Sequence, residues 1–147
     1  MTHWRPASRK DVSAIVALLR DDVLGATREV MELSVYLSAF DAMASEPHNR
    51  IFVGEIDGRI VATYQLTFIS GLSLTALRRA LVEGVRVASD LRGQGIGERL
   101  MMDAEARARA AGCSLIQLTS TNSRTDAHRF YLRQGYVASH TGFKKTL

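Results

Sequence analysis

The sequence predicts a mixed α/β domain, and three observations carry that expectation. A run of β-branched and aromatic residues, "RIFVGEIDGRIVATYQLTFIS", is broken only at Asp57-Gly58 and reads as a β-hairpin over 50–56 and 59–69. A second strand-like stretch, "LVEGVRVAS", runs through "DLRGQGIGE" into a helical stripe, so a strand, a glycine-rich turn and a helix follow one another. Strand, helix and strand come next, an order that lays helices against a sheet instead of bundling them.

Each element has its own justification. A short strand is expected around "THWRPA". Ser8, with Asp11 three residues on, marks a helix start, and Val12, Ile15, Val16, Leu18 and Leu19 form one face of a helix reaching about Asp21. "DDVLGATREV" has no period and reads as a loop. "MELSVYLSAFDAMASE" places Leu33, Tyr36, Leu37, Phe40 and Met43 at helical spacing, and Pro47 ends it. Asp57-Gly58 suits the positive φ of a two-residue hairpin turn. A loop through Gly71 and "LSLTALRRA" leads to the strand around Val85 and Val87. From Gly95 to Ala111 the residues Ile96, Leu100, Met101, Ala104, Ala108 and Ala111 share one stripe, with Gly112 where a C-terminal cap belongs. "SLIQLTS" reads as a further strand, "TDAHRFYLRQG" as a short helix closed by Gly135, and "YVASH" and "GFKKTL" as a final pair of strands. No linker composition interrupts the series, so a single domain over 1–147 is expected.

With 46% hydrophobic and 23% charged residues, the chain has the makeup of a folded domain, not of a disordered or collagen-like one. No apolar run reaches the roughly 20 residues that cross a bilayer, and "MTHWRPASRKD" lacks the apolar core of a signal peptide; a cytoplasmic location is expected. Cys113 is the only cysteine, which excludes an internal disulfide and reads as a small core thiol. A net charge of +4 favours an anionic ligand. The basic residues are scattered, without interleaved aromatics or zinc-finger spacing, which argues against nucleic acid as a partner. His3, His48, His128 and His140 show no metal-ligand spacing, and no metal is expected.

Three glycines at alternate positions, Gly93, Gly95 and Gly97, stand where a helix begins. A strand, a glycine turn and a helix start together present unpaired backbone N–H groups and the positive end of the helix dipole, a site for a phosphate-type anion. A dinucleotide-binding turn needs G-x-G-x-x-G with an acid at the end of the next strand; the spacing here differs and "LIQLTS" has no acid. A P-loop needs Gly-Lys-Ser/Thr, where this chain has Gly97-Glu98-Arg99.

The stretch Arg92-Gly93-Gln94-Gly95-Ile96-Gly97 matches a pyrophosphate-binding R/Q-x-x-G-x-G/A turn. Here the sequence resembles the GNAT superfamily of acyl-CoA-dependent N-acyltransferases. "VRVASDLRGQGIGERLM" is similar to that family's fourth strand, pyrophosphate loop and third helix, and "DAHRFYLRQGYVASH" to its later helix with a tyrosine and the strand after it. "RPASRKDVSAIVALL" resembles its opening strand and helix, so the likeness spans nearly the whole chain in order. One departure is Ser89, where many relatives have proline.

The resemblance implies the GNAT fold, a mixed sheet of about six to seven strands with flanking helices, splayed between strands 4 and 5. It implies acetyl-CoA as co-substrate. The N–H groups of Gln94, Gly95, Ile96, Gly97 and Glu98 would hold its diphosphate, the edge of Val85-Arg86-Val87 its pantetheine arm, and Arg92, Gly93 and Asn122 would also contact it, with Arg99 as nearby cationic help. Tyr131 would protonate the leaving thiolate and Glu83, acting through water, would deprotonate the amine; His128 is a further candidate base or substrate contact. The implied reaction is direct transfer of acetyl to a primary amine of a small molecule, contacted by residues 24–46 and 68–80, and the acids Asp21, Asp22, Glu29, Glu32 and Asp41 are candidate partners for a cation. Acetylation of aminoacyl-tRNA or a protein N-terminus, and a non-catalytic acyl-CoA-binding module, stay open as alternatives. A homodimer is allowed for.

Overall fold

The computed structural model describes residues 1–21, 26, 29 and 32–147, and the loop expected over 21–30 lies largely outside them. The chain divides into two compact units, Met1–Gln117 and Leu118–Leu147. The first unit holds a sheet of five strands in the order β1 (His3–Pro6), β2 (Asn49–Ile56), β3 (Arg59–Ile69), β4 (Arg79–Val87) and β5 (Leu115–Gln117). Neighbours are antiparallel except β4 and β5, which are parallel.

The hairpin turn forms as its dipeptide predicts: Asp57 and Gly58 take φ +48° and +77°, and Ile56 pairs with Arg59 across it. Trp4 of β1 lies opposite Gly54 of β2, and a Cβ placed on Gly54 would come within 2.6 Å of the indole. The indole occupies the space that any larger residue at 54 would need.

Among the described residues, the helices of nine residues or more in this unit are α1 (Val12–Arg20), α2 (Leu33–Met43) and α3 (Ile96–Ala110). A single 3-10 turn, Arg9–Asp11, opens α1, and the Asp11 carboxylate reaches back to accept the Ser8 N–H at 2.7 Å. Arg5 grips the same carboxylate with two nitrogens, at 2.7 and 3.0 Å, and Glu55 at 2.9 Å, tying β1, β2 and the helix start together. The Arg5 guanidinium is the main reason the Asp11 carboxyl is held below the usual carboxylate range, with burial opposing and Ser8 assisting.

Helix α1 buries Val12, Ile15, Val16 and Leu18 and packs on β3 and β4. Helix α3 buries Ile96, Leu100, Met101, Ala104 and Ala108, the stripe its spacing predicts, also against β3 and β4. From β3, Tyr64 is fully buried and donates to Asp103 of α3 at 2.5 Å; Arg107, one turn on, bonds Asp103 at 2.8 Å and lies 4.2 Å above the Phe52 ring. Burial, with Asp103 beside it, drives the Tyr64 hydroxyl far above its ordinary pKa, so it stays a donor. Helix α2 has no fully buried residue, although Tyr36, Leu37, Phe40 and Met43 are half-buried, the face its spacing marks. Between β3 and β4 the segment Ser73–Ala76 turns left-handed, with Leu74, Thr75 and Ala76 at φ near +60°.

The second unit contains α4 (Thr125–Arg133), which Gly135 ends at φ +90°. Residues 136–147 carry no strand. The final pair of strands expected at "YVASH" and "GFKKTL" is therefore absent, and the strand expected over "SLIQLTS" shortens to Leu115–Gln117, giving five strands among the described residues instead of six to seven. Alternation alone does not make a strand. A lone pair of strands is marginal without a third strand or a helix to cover one face, and Val137 and Phe143 stay exposed.

Candidate active site

The site begins with a glycine inside a strand. Opposite the register step Thr63/Gln65 of β3, strand β4 spends one extra residue: Thr63 pairs with Arg86 and Gln65 with Glu83. Gly84 sits at this bulge with φ +60°, a backbone state that favours glycine. The ladder of β4 with β5 covers only Arg79, Ala80 and Leu81, the full length of β5. Among the described residues, the β5 side of β4 from Val82 to Val87 has no strand partner. The ladder leaves this stretch as a gap, past the end of β5 at Gln117.

Which polar groups face the gap follows from the ladder. Ala88 N–H donates to Val61 O at 2.8 Å, so the neighbouring pair Ala62 and Val87 is a non-hydrogen-bonded one and the peptide groups of Val87 turn away from β3. Val85 lies in the bulge and has no register partner on β3, while the peptide groups of Arg86 face β3. Of the three predicted edge residues, Val87 turns its backbone away from β3 and Arg86 does not. The Arg86 side chain is buried, 9% exposed, and donates to Val85 O at 2.9 Å.

Past β4 the chain makes a 3-10 turn, Ser89–Leu91, and then the glycine turn. Gly93 and Gly95 both take left-handed φ, +78° and +77°, and Gly95 is the N-cap of α3. No side chain caps that helix, and among the described residues no N–H from Arg92 to Gly95 donates to a backbone carbonyl. With the first-turn N–H groups of Ile96, Gly97 and Glu98, which have no intrahelical acceptor, the turn exposes a cluster of donors at the positive end of a 15-residue helix.

Arg92 does not stand free as a cationic arm. Its Nε donates to Val87 O at 3.2 Å and its Nη2 to Asp21 O at 2.8 Å, so it braces the turn against the end of α1. Asp21 closes the same joint: its two carboxylate oxygens accept the Ser89 N–H at 2.9 Å and the Ser89 hydroxyl at 3.1 Å. These two bonds, the backbone one first, hold the Asp21 carboxyl below the usual range. Arg99 reaches back to Gln94 O at 3.5 Å.

Glu83 is exposed on β4 and forms no hydrogen bond or ion pair with a described residue. In the second unit, Tyr131 lies half-buried on α4 between the rings of Phe130 and Tyr136, at 5.2 and 5.9 Å, both edge-on. His128 Nε2 lies 2.9 Å from Thr121 O, which can only accept, so that nitrogen carries the proton and the ring pins the loop before α4. Asn122 is exposed in that loop. Of the acids considered for the acceptor, Asp21 is committed to Ser89 and Asp41 to Arg9 at 3.1 Å, and Asp22 lies outside the described residues. Cys113 is buried, and burial raises its thiol pKa, as befits a core residue.

Sequence reasoning missed Asp21 as a brace and Gly84 as a bulge. The second had a signal, an isolated glycine inside a strand pattern. The first had none, since its partner is 68 residues away.

A bulged strand that feeds a glycine turn and a bare helix start defines the acyl-group transferase class of α/β folds. The chain belongs to the acetyltransferase (GNAT) family, whose family model matches residues 13–136. It is 31% identical to the aminoalkylphosphonate N-acetyltransferase of Salmonella typhimurium, over 97% of this chain and 90% of that protein. It is 33% identical to a tRNA(Met) cytidine acetyltransferase of Aeropyrum pernix over 65% of this chain, a match spanning 16% of that protein. The crystal structure of a transcriptional regulator from Bacillus halodurans C-125 superposes with a TM-score of 0.95 at 40% identity, covering all of both chains. Among the described residues no helix is long and apolar enough to cross a membrane, and no group of three or more metal-ligating side chains occurs.

Proposed function

We propose that this acetyltransferase takes its acetyl group from acetyl-CoA and passes it directly to a primary amine of a small molecule. The observation that carries this is the continuity of β4 with the glycine turn. An open strand edge at Val85 and Val87 runs into undonated N–H groups from Gln94 to Glu98, a length of polar backbone suited to a pantetheine arm followed by a diphosphate. The coenzyme supplies the activated thioester. In this reading the backbone of Val85 and Val87 pairs with the pantetheine amides, and the N–H groups of Gln94, Gly95, Ile96, Gly97 and Glu98 hold the diphosphate. Gly93 gives the turn its approach, and Arg92 and Arg86 brace the turn and the strand by donating to the Val87 and Val85 carbonyls. Asn122 is the proposed contact from the second unit.

An attacking amine must be neutral, and its ammonium form must therefore lose a proton. Glu83, exposed and uncommitted, is the proposed base through water. Tyr131 is the proposed acid to the thiolate, since phenol and thiol have pKa values within about two units of each other. As acceptor, an aminoalkyl compound with an anionic head is the first class to test, given the 31% identical relative and the net charge of +4. The 40% identical transcriptional regulator is the observation that favours a second reading, a non-catalytic acyl-CoA-responsive module.

One experiment separates them: CoA thiol release from acetyl-CoA, with 2-aminoethylphosphonate and a panel of other primary amines, beside calorimetry with acetyl-CoA. Amine-dependent release supports the enzyme. Binding without release with any amine supports the module.

A further inference from the structure

A polar chain crosses the sheet next to Glu83 and ends there. Asn49 of β2 pairs in register with Thr67 of β3, and Gln65 of β3 with Glu83 of β4, so these side chains share one face. Asn49 Nδ2 donates to Glu46 Oε2 at 2.7 Å, and Asn49 Oδ1 accepts Gln65 Nε2 at 2.8 Å and Thr67 Oγ1 at 3.3 Å. The polarity of this chain is set at its outer end. An ionised carboxylate can only accept, so Asn49 must turn its NH2 group to Glu46 and its oxygen inward. Gln65 must then give its NH2 group to Asn49, which leaves Gln65 Oε1 turned away from that bond.

Directly across the ladder from Gln65 stands Glu83, their Cβ atoms about 4.5–5.5 Å apart as in any such pair. Neither Gln65 Oε1 nor the Glu83 carboxylate accepts a hydrogen bond from a described residue. Gln65 is half-buried and Glu83 exposed, beside the bulge at Gly84. Two acceptors held side by side without a donor call for a group that carries several N–H bonds and a positive charge. A primary ammonium offers three.

We propose that Gln65 Oε1 and the Glu83 carboxylate together dock the ammonium of the acceptor, and that Glu46 and Asn49 are positioning residues that keep the carbonyl end of Gln65 toward it. The proposal rests on the role given to Glu83 above and adds the group that selects an amine over an alcohol.

The test is steady-state thiol release with acetyl-CoA saturating and 2-aminoethylphosphonate varied, or with the panel amine turned over fastest if that probe is inert. Gln65→Met, of similar length but without polar atoms, is expected to raise the amine KM roughly ten- to a hundredfold, the scale of a lost hydrogen bond to a charged group, with acetyl-CoA KM unchanged. Asn49→Leu frees the Gln65 amide to flip and is expected to raise the amine KM as well. Asn49→Asp keeps an acceptor toward Gln65 and is expected to restore KM to within about threefold of wild type. Unchanged amine KM in Gln65→Met, or equal behaviour of the Asn49 variants, overturns the proposal while leaving Glu83 as base intact. No turnover by the wild type with any amine overturns the underlying role of Glu83 instead, and this proposal with it.

Discussion

Asp21, the residue that ends α1, holds Ser89 by both its backbone N–H and its hydroxyl, at 2.9 and 3.1 Å. Proline at position 89 could not make either bond. The joint between β4 and the glycine turn is thus fixed by a side chain from another element where a ring would otherwise stiffen it. Asp21→Ala is expected to loosen the turn and weaken acetyl-CoA binding several-fold in calorimetry, with little effect on the amine KM. Equal affinity in the variant and wild type would show that the joint holds without it.

Gly93 and Gly95 share a left-handed backbone, but an added Cβ meets nothing within 4 Å at Gly93 and the Arg99 guanidinium at 3.3 Å at Gly95. Left-handed backbone costs a residue with a Cβ about 1–2 kcal/mol. Gly95→Val, which also sets a branched side chain among the exposed N–H groups, is expected to raise the acetyl-CoA dissociation constant more than tenfold. Gly93→Ala is expected to raise it less. Circular dichroism should show both variants folded.

Tyr131→Phe removes the proposed proton donor and keeps the ring that packs on Phe130 and Tyr136. Turnover is expected to fall by at least tenfold with acetyl-CoA affinity within twofold of wild type. Parallel loss of both would mark the hydroxyl as structural.

How much of this was legible in the sequence depended on distance along the chain. Asp57-Gly58, the stripe from Ile96 to Ala108 and the turn from Arg92 to Gly97 are local patterns, and each took its expected form. Arg92 kept its place while its contacts changed, because a guanidinium close to bare carbonyls of Val87 and Asp21 satisfies them before it faces solvent. The chain from Glu46 through Asn49 to Gln65 and the bulge at Gly84 depend on strand register, which pairs residues 16 to 23 apart and shows no motif. The last strands failed for the complementary reason: "YVASH" alternates, but without a neighbouring strand its backbone closes local bonds instead, Tyr136 N–H to Tyr131 O and Ser139 N–H to Val137 O.

Trp4 lies against Gly54 so closely that a Cβ there would approach it to 2.6 Å. Gly54→Ala is expected to lower stability by about 1–3 kcal/mol through overpacking, measured by urea denaturation. If Trp4→Leu in the same background recovers most of that loss, the clash is with the indole.

Asp11, 8% exposed, has its carboxyl held below the usual range chiefly by Arg5. A lowered folded pKa contributes stability that is complete above the unfolded value near 4 and is lost as pH falls through the folded one. The thermal midpoint should therefore drop on acidification below about pH 4. Asp11→Asn should be less stable at pH 7, by about 1–3 kcal/mol, and should lose less on acidification. Parallel midpoint curves for the two proteins would place the acid sensitivity elsewhere.

The most direct measurement is a crystal structure of the chain grown with coenzyme A. Diphosphate oxygens within hydrogen-bonding distance of the N–H groups from Gln94 to Glu98, with the pantetheine arm along Val85 and Val87, are the predicted result. A coenzyme bound with its diphosphate away from this turn, or a turn left bare at saturating ligand, would contradict the account.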